Sequence, residues 1–479
     1  MKKNTYGADD PIAARATPAG ESALAVVRTS GAGSIALLSR IFSRPDALNA
    51  AAGNTVVHGW ITNTAHRGKP EMTAKPLIDD VLVSVYRAPR SFTGEEGADI
   101  SCHGGSAASR AVMSTLRSAG FRDALPGEFS FRAFMNGKID LTRAESIMEI
   151  VSAKTDRGRE HAVGRLAGAL ERKIRDINTC LVETLAQIEL FLDYPEDEID
   201  GVQDTEEMLS PVRAPLICLR ALAAAWRRER LYQEGALVVI AGRPNAGKSS
   251  LFNFFLREER SIVTDIPGTT RDWIEAALSL EGIPVRFADT AGLRDSASGT
   301  NPPDPAERIG IERSRGLIAR ADIVLYLLDG SAGITGEDRE FAGIDTVSAP
   351  VLFVWNKADI ARVPEGAAEL LCGGPLHEIS AKTGAGVEEL CAEIVRLLEG
   401  AGETAEPSAA APGTVRQKEL IDEAAASVAD ALARAGRNEP LDLVAPALRD
   451  AINALGEITG DVSTADILET MFSRFCVGK

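Results

Sequence analysis

Residues 242–249, with the sequence Gly-Arg-Pro-Asn-Ala-Gly-Lys-Ser, constrain the fold of this chain more than any other segment. They follow an apolar run at 237–241 and precede a segment of helical character at 250–256, so the order is buried strand, glycine-rich turn and helix. This is the context in which a phosphate-binding loop occurs. Gly242 and Gly247 permit a tight turn whose N–H groups converge on one anion. The alternative is a strand-turn-helix with chance glycines, which the motif and its context together disfavour.

Three short segments at later strand ends point to guanine rather than adenine. Residues 289–292 (Asp-Thr-Ala-Gly) follow the predicted strand at 285–288, residues 356–359 (Asn-Lys-Ala-Asp) follow an apolar strand at 351–355, and residues 380–382 (Ser-Ala-Lys) follow the next. A carboxylate at Asp359 can accept hydrogen bonds from guanine N1–H and the 2-amino group. Adenine would leave that acceptor unpaired, at a cost of about 1–3 kcal/mol. Because ligands bind at the carboxyl ends of parallel strands, these segments predict one guanine nucleotide site.

The motifs assign roles within this site. Lys248 reaches the β- and γ-phosphates, and the Ser249 hydroxyl ligates Mg²⁺. Asp289 holds Mg²⁺ through water, and the Gly292 N–H contacts the γ-phosphate. The remaining nucleotide-contacting residues predicted in these segments are Asn245, Ala246, Gly247, Ser250, Thr290, Ala291, Asn356, Lys357, Ala358, Ser380, Ala381 and Lys382.

The rest of the chain divides into one strand-rich and two helical segments. Residues 1–137 carry strand signals and glycine punctuation without a phosphate-binding loop, which predicts an α+β domain. Helical periodicity follows at 138–234, with a capping box predicted at 142–145, and returns after a linker within 403–479. We therefore predict that an α/β nucleotide domain, residues 235–402, is inserted into a discontinuous helical domain. The fold class is multidomain, α+β and α/β.

Composition narrows the functional classes. The chain has 479 residues and a formal net charge of −17, which argues against a broad nucleic-acid-binding surface but leaves a local basic site open. It has no apolar run of the ~18 residues that a membrane span needs, and its start lacks the apolar core of a signal peptide. Six cysteines lack metal-ligand spacing. We expect a cytoplasmic protein with reduced thiols and no membrane association.

Arg28 lies at the end of an apolar strand. Its side chain either reaches water or binds an anion.

Further short motifs occur along the whole chain. They are residues 91–95 (Ser-Phe-Thr-Gly-Glu), 126–130 (Pro-Gly-Glu-Phe-Ser), 134–138, 268–272, 289–294, 307–312 and the terminal Cys-Val-Gly-Lys at 476–479. Together with the phosphate-binding loop they resemble one family, the MnmE or TrmE tRNA-modification GTPases. The resemblance covers nearly the whole length, and the terminal tetrapeptide is its most specific part because generic GTPases have no such tail.

The resemblance implies a homodimer through residues 1–137 and an FAD-dependent partner of the MnmG or GidA type, in a heterotetramer. Together they modify carbon 5 of the wobble uridine of certain tRNAs to aminomethyl or carboxymethylaminomethyl uridine. The one-carbon donor is 5-formyl- or 5,10-methylene-tetrahydrofolate. The matching folate positions are Arg28, Asp99, Lys138 and Lys479. Asp99 stands where the resemblance leads us to expect a glutamate. Cations and an acid suit a ligand with carboxylates and a guanidine-like pterin edge.

The resemblance also assigns metal ions to the nucleotide site. Leu293 stands where Ras-like proteins have the glutamine that orients water, and no arginine finger is evident in the sequence. A K⁺ site is implied instead, and Mg²⁺ gains a second protein ligand, Thr270, beside Ser249. The implied K⁺ ligands are the Asn245 side chain and the backbone carbonyls of Thr264, Ile266 and Thr269. The same nucleotide-contacting segment includes Asp265, Pro267 and Gly268.

Two residues are predicted to be catalytic. Glu307 matches the family's water-orienting acid; its alternative, from the sequence alone, is a surface charge. Cys476 lies three residues from the end of the chain, near Lys479, whose charge could stabilise a thiolate. The resemblance suggests that Cys476 faces the folate site and takes part in tRNA modification, and the alternative is an inert or buried thiol.

The sequence thus predicts a GTP hydrolase in a complex that modifies tRNA wobble uridine. The alternative is a ribosome-assembly or signalling GTPase, a switch without folate or covalent RNA chemistry. Such proteins typically add an RNA-binding module such as a KH domain, and this sequence contains no Gly-x-x-Gly loop in a basic context.

Overall fold

The computed structural model describes residues 6, 10–63, 76–193, 205–257, 275–289, 316–343, 349–371, 374–400, 409–463 and 465–478. The chain divides into two compact units. Unit 1 comprises Met1–Met148, Ile174–Val202 and Arg434–Lys479, and unit 2 comprises Glu149–Lys173 and Gln203–Ala433. The helical segments are shared between the units, and the domain boundaries predicted at 137, 234 and 402 stay predictions. No helix in the described ranges is long and apolar enough to cross a membrane.

The helices of the described residues are α1 (Ser34–Arg40), α2 (Pro45–Ala50), α3 (Ser106–Ala119), α4 (Glu128–Met135), α5 (Leu141–Ser152), α6 (Asp156–Leu166), α7 (Ala169–Asp193), α8 (Thr205–Met208), α9 (Arg213–Glu234), α10 (Lys248–Arg257), α11 (Gly336–Ala342), α12 (Val387–Glu399), α13 (Val415–Ala435), α14 (Leu441–Thr459) and α15 (Ala465–Phe472). Short 3₁₀ helices lie at Ser210–Val212 and Glu369–Leu371. The multidomain α+β and α/β class predicted from the sequence is confirmed.

The capping box predicted at residues 142–145 is wrong. Thr142 lies inside α5, and the residue that caps this helix is Asp140. The Asp140 carboxylate accepts hydrogen bonds from the Arg143 N–H at 3.0 Å and from the Thr142 hydroxyl at 2.6 Å. Aspartate and threonine are both favoured N-cap residues. In this helix Asp140, the earlier of the two in sequence, is the cap.

Unit 1 is built on a mixed sheet with the strand order β3-β4-β5-β2-β1-β6. The strands are β1 (Ile12–Arg15), β2 (Leu24–Ser30), β3 (Thr55–Thr62), β4 (Leu77–Tyr86), β5 (Gly97–His103) and β6 (Arg122–Asp123). Neighbouring strands are antiparallel, except that β1 and β6 are parallel. The alternation typical of half-buried strands therefore gives this sheet two distinct faces.

One face of the unit 1 sheet is covered and the other is largely open. Aliphatic side chains of β2, β4 and β5 are buried against α1 and α3. On the opposite face, Phe129 of α4 packs against Ile12 and Ala14 of β1. The remainder of that face, here named the open face, carries apolar side chains that are 39–62% exposed: Leu24, Val56, Trp60 and Leu82. Arg28 and Asp99 are paired across β2 and β5 on the same face, since directly opposite residues share a face.

Unit 2 contains the sheet β12-β11-β10-β7-β9-β8. The strands are β7 (Ala236–Gly242), β8 (Glu275–Leu280), β9 (Ile283–Asp289), β10 (Ile323–Asp329), β11 (Val351–Asn356) and β12 (Leu376–Glu378). All pairs are parallel except β8 with β9. One face packs on α10 and α12 and the other on α11, so both faces are buried, as is usual for parallel sheets. The carboxyl ends of β7, β9, β10 and β11 consequently lie along one edge.

Candidate functional site

The phosphate-binding segment of unit 2 forms a turn that only particular residues permit. The backbone is left-handed at Gly242 (φ 135°), Asn245 (φ 64°) and Gly247 (φ 93°). A Cβ atom at Gly247 would lie 2.1 Å from the Asn356 side-chain nitrogen, so no larger residue fits there. Asn245 adopts the left-handed conformation that asparagine tolerates better than most residues. The turn therefore depends on both its glycines and its asparagine.

Lys248 begins α10 and folds back over this turn. Its ammonium group donates hydrogen bonds to the carbonyls of Gly242 at 2.9 Å and Arg243 at 2.7 Å, and the residue is only 6% exposed. Ser249 and Ser250 follow in the first turn of the helix, both exposed. A buried ammonium beside an accessible hydroxyl fits a phosphate chain with Mg²⁺, because the cation meets phosphate oxygens and the hydroxyl oxygen suits a hard metal ion.

Asn356, at the end of β11, connects the phosphate-binding turn with the last predicted motif. Its side-chain nitrogen donates to the Ala246 carbonyl at 2.8 Å, and its side-chain oxygen accepts from the Ala381 N–H at 2.9 Å. The residue is 2% exposed, so both hydrogen bonds are shielded from water. One amide thus holds together three segments that are distant in sequence.

The predicted guanine-binding carboxylate is also held by a motif residue. The Ser380 hydroxyl donates to the Asp359 carboxylate at 2.7 Å, and the Ala358 N–H donates to the Ile379 carbonyl at 3.0 Å. Asp359 is exposed while Ser380 is 1% exposed, so the serine fixes one carboxylate oxygen from the buried side. Lys382 is exposed beside them.

Of the other residues predicted for the nucleotide site, Asp289 lies within the described residues and most of the rest do not. Asp289 ends β9, and its backbone is paired in register with Ile240 of β7, the strand that leads into the phosphate-binding turn. The other predicted residues lie outside the described residues: Thr264, Asp265, Ile266, Pro267, Gly268, Thr269, Thr270, Thr290, Ala291, Gly292 and Glu307. Of the implied K⁺ ligands, only Asn245 is described.

In unit 1, Arg28 and Asp99 form a two-pronged ion pair. Arg28 Nε lies 3.0 Å from Asp99 Oδ1 and Nη2 lies 3.3 Å from Oδ2, with the side chains 31% and 19% exposed. The third guanidinium nitrogen, Nη1, donates to the Gly478 carbonyl at 3.2 Å. The guanidinium carbon is 5.9 Å from the Phe129 ring centre, and the Tyr86 hydroxyl donates to Asp99 at 3.4 Å. We name this group of Arg28, Tyr86, Asp99, Phe129 and Gly478 the Arg28 site.

A small cavity of about 160 Å³ opens at the Arg28 site. Its lining includes Arg28, Tyr86, Asp99, Phe129 and the half-exposed Phe92. Burial, and secondarily the Asp99 charge, raises the pKa of Tyr86, which therefore stays a hydroxyl donor at neutral pH. A cation, an acid, a hydroxyl and aromatic rings form a donor set that fits a flat heterocycle with polar edges.

Two of the predicted folate residues stand outside this group. Lys138 does not belong to the residues that line the cavity; its ammonium donates to the Pro89 carbonyl at 3.0 Å. It passes beside Gly94, where a Cβ atom would come within 3.5 Å of its side chain. Lys479 lies outside the described residues, but its neighbour Gly478 contacts Arg28.

The end of the chain is held against the first segment of unit 1. Phe475 is buried in a cluster with Phe131 and Phe472, and the Gly127 N–H donates to the Cys476 carbonyl at 3.3 Å. The Cys476 thiol is free and exposed. Since Gly478 reaches Arg28, the backbone of Cys476 lies only two residues from the Arg28 site.

The structure also brings in side chains to which we assigned no role. Glu95 accepts hydrogen bonds from Ser30 at 2.7 Å and from Arg132 at 3.1 Å, and Arg132 in turn contacts the fully buried Glu128. Burial raises the pKa of Glu128, but hydrogen bonds from Arg122, Leu125 and Arg132 outweigh it and lower the pKa below its ordinary value. Glu95 and Glu128 belong to the motifs at 91–95 and 126–130, so the sequence offered a signal that could have identified them. Tyr86 belongs to no motif, and nothing in the sequence indicated its place in the site.

Comparisons with known proteins cover the whole chain. The family model "GTP-binding protein TrmE N-terminus" matches residues 11–138, and "MnmE helical domain" matches residues 141–476. A "tRNA modification GTPase MnmE" from Treponema denticola is 42% identical over 492 residues, covering 100% of both chains. Proteins of the same name from Borreliella afzelii (38%; 98% of both chains) and Symbiobacterium thermophilum (40%; 98% of this chain and 100% of that one) are similar. A crystal structure of Era with MgGDPNP and 16S ribosomal RNA nucleotides matches 33% of this chain and 55% of that chain at 25% identity, with a TM-score of 0.27, which supports no conclusion.

Proposed function

The chain belongs to the MnmE family of tRNA modification GTPases, and we propose that it works on carbon 5 of the wobble uridine with an FAD-dependent partner of the MnmG type. Its full-length identity of 42% to a protein named tRNA modification GTPase is the observation that carries the proposal. The modification is an aminomethyl or carboxymethylaminomethyl group, and a heterotetramer with this partner performs it in the cytoplasm.

In the proposed hydrolysis, Asn356, Lys357, Asp359 and the segment at 380–382 bind the base, and Lys248 binds the β- and γ-phosphates. Ser249 and Thr270 hold Mg²⁺, with Asp289 acting through water. Asn245 and the carbonyls of Thr264, Ile266 and Thr269 hold K⁺, which supplies positive charge to the developing negative charge between the β- and γ-phosphates. Glu307 orients the attacking water.

The K⁺ assignment has a direct test. GTP turnover is measured in K⁺ and in Na⁺ at equal ionic strength, and we expect it to be about 10-fold or more faster in K⁺, because Na⁺ is too small for carbonyls spaced for K⁺. Asn245→Gly, which removes the side-chain oxygen but still adopts the left-handed backbone, should remove the difference between the two ions. Equal rates for the unaltered protein would contradict the K⁺ site.

For the one-carbon donor, 5-formyl- or 5,10-methylene-tetrahydrofolate, we propose the Arg28 site with Lys138 and Lys479. The donor set of the described residues supports this assignment, and folate would supply the carbon that becomes attached to the uridine. Cys476, whose thiol is exposed and whose backbone lies two residues from the Arg28 contact at Gly478, is proposed to act in the same reaction. The open face supports a homodimer through residues 1–137, because exposed Leu24, Val56 and Leu82 form the kind of apolar surface that a second copy buries.

The decisive experiment is mass spectrometry of tRNA nucleosides from a deletion strain. Wild-type complementation should restore the modified wobble uridine, and Lys248→Ala, which leaves the Arg28 site intact, should not. A wobble uridine that is unchanged in the deletion strain would favour the ribosome-assembly or signalling GTPase. Sedimentation of the purified protein tests the dimer: a monomer at micromolar concentration would contradict it.

A further inference from the structure

Lys357 is held in an unusual position by a residue outside every motif. Its backbone is left-handed, with φ 68°, although it is not a glycine. Its ammonium group lies 2.6 Å from Asp329 Oδ2 and 3.3 Å from the Ser331 hydroxyl. Asp329 ends β10 and is in register with Asn356 of the neighbouring parallel strand β11. The strand pairing therefore brings this acid beside the lysine, although 28 residues separate the two in sequence.

Both oxygens of the Asp329 carboxylate accept hydrogen bonds, from Ser331 and from Lys357. Its Oδ1 accepts from the Ser331 N–H at 2.9 Å and from the Ser331 hydroxyl at 2.5 Å, which leaves Oδ2 for Lys357. The side chains of Asp329 and Lys357 are 12% and 28% exposed. Burial raises the pKa of Asp329, but hydrogen bonds from Lys357 and Ser331 outweigh it and lower that pKa. The carboxylate is thus charged at neutral pH and already oriented.

We infer that Asp329, supported by Ser331, is a positioning residue for guanine nucleotide binding, because it anchors the Lys357 ammonium so that the aliphatic stem is ready to cover the base. The inference rests on the proposed guanine site at residues 356–359. Two other side chains of this segment are held in the same manner: Asn356 bonds to Ala246, and Asp359 bonds to Ser380. Anchoring all three side chains before the nucleotide arrives reduces the ordering cost of binding.

The expected effect follows from the freedom of the lysine side chain. The rotamer freedom that a lysine loses on ordering corresponds to about 10-fold in a binding constant. Asp329→Ala should therefore weaken GDP binding about 10-fold by calorimetry and raise KM for GTP by a similar factor. The turnover number at saturating GTP should stay within about twofold, because Asp329 contacts the base-binding lysine and the chemistry takes place at the phosphates.

Four further variants make the test specific. Asp322→Ala removes an acid that immediately precedes β10, at the end opposite Asp329, and whose carboxylate accepts from the Leu237 N–H at 2.8 Å; it should lower Tm without changing GDP affinity. Lys357→Ala should weaken GDP binding, and adding Asp329→Ala to it should cause no further loss. Asp329→Asn, which keeps an acceptor oxygen, should fold and show a smaller loss than alanine.

A second readout separates Lys357 from Asp359. Inosine diphosphate lacks the 2-amino group that Asp359 is proposed to bind, so Asp359→Ala should reduce the preference for GDP over inosine diphosphate, whereas Asp329→Ala should preserve it. Unchanged GDP affinity in both Asp329 variants, or losses that add fully to those of Lys357→Ala, would overturn the inference. Failure of the unaltered protein to bind GDP would instead overturn the guanine site itself.

Discussion

The nucleotide site of unit 2 and the Arg28 site of unit 1 are held together in different ways. In the nucleotide site, motif residues bind other motif residues: Asn356 contacts Ala246, and Ser380 contacts Asp359. In the Arg28 site, Arg28 contacts Asp99 and also the Gly478 carbonyl, a backbone group at the far end of the chain. The first site is held mainly by contacts between motifs, with Asp329 as the one named anchor from outside them, while the second depends on where the chain terminus is placed. Changes inside each site should therefore affect different measurements.

The largest expected effect tests whether the nucleotide site binds GTP without its hydrolytic acid. Glu307→Ala should lower kcat by about 10²–10⁴-fold, the contribution of a positioned water or general base, while GTP affinity holds. Stopped-assay turnover and equilibrium nucleotide binding are the two measurements. A fall of less than a few-fold would return Glu307 to the status of a surface charge.

Next in size is the change that breaks the internal contacts of the nucleotide site. Asn356→Ala leaves the buried Ala246 carbonyl and Ala381 N–H without their side-chain partner, at about 1–3 kcal/mol. Guanine nucleotide affinity should fall about 10- to 100-fold, with a lower Tm. The Arg28 site should keep its folate affinity, which serves as the control. Unaltered nucleotide affinity would mean that the asparagine does not organise the site.

A smaller effect is expected when the chain terminus is removed from the Arg28 site. Deleting residues 477–479 removes the Gly478 carbonyl that accepts from Arg28, together with Lys479, and should weaken folate binding about 10-fold. Lys479→Ala is the matched control, because it retains the carbonyl. If the single substitution costs as much as the deletion, the Arg28–Gly478 hydrogen bond contributes nothing to the site. GTP binding should be the same in both variants.

The smallest effect on GTP hydrolysis is expected for a substitution of Cys476, and it gives the clearest test of whether the nucleotide site and the Arg28 site act separately. Cys476→Ser keeps the size and hydrogen bonding of the side chain but removes the nucleophilic thiol. GTP turnover should stay within about twofold, since the tail belongs to unit 1 and the nucleotide motifs to unit 2, whereas wobble-uridine modification in a complemented deletion strain should be lost. Normal modification would leave the tail a structural role only. Collapse of hydrolysis would show that the two sites are coupled.

The nucleotide site could be predicted from the sequence more fully than the Arg28 site, because its residues lie in contiguous motifs. Residues 242–249 are contiguous, so the order of their glycines, lysine and serine is enough to assign a turn and a helix start. The helix start at Asp140 was missed because Thr142 satisfies the same rule. Asp329 and Tyr86 were missed because a single acid or tyrosine at a strand end has no signature.

The sequence by itself determined the phosphate-binding turn, the multidomain α+β and α/β class, and the family. All of these follow from local spacing, in which neighbouring residues constrain one another through backbone geometry. The tertiary structure alone decided that Arg28 meets Asp99 and Gly478, and that Lys357 meets Asp329. Such contacts depend on which strands become neighbours and in which register. That choice is made by burial of whole faces of the sheet, which a local pattern does not encode.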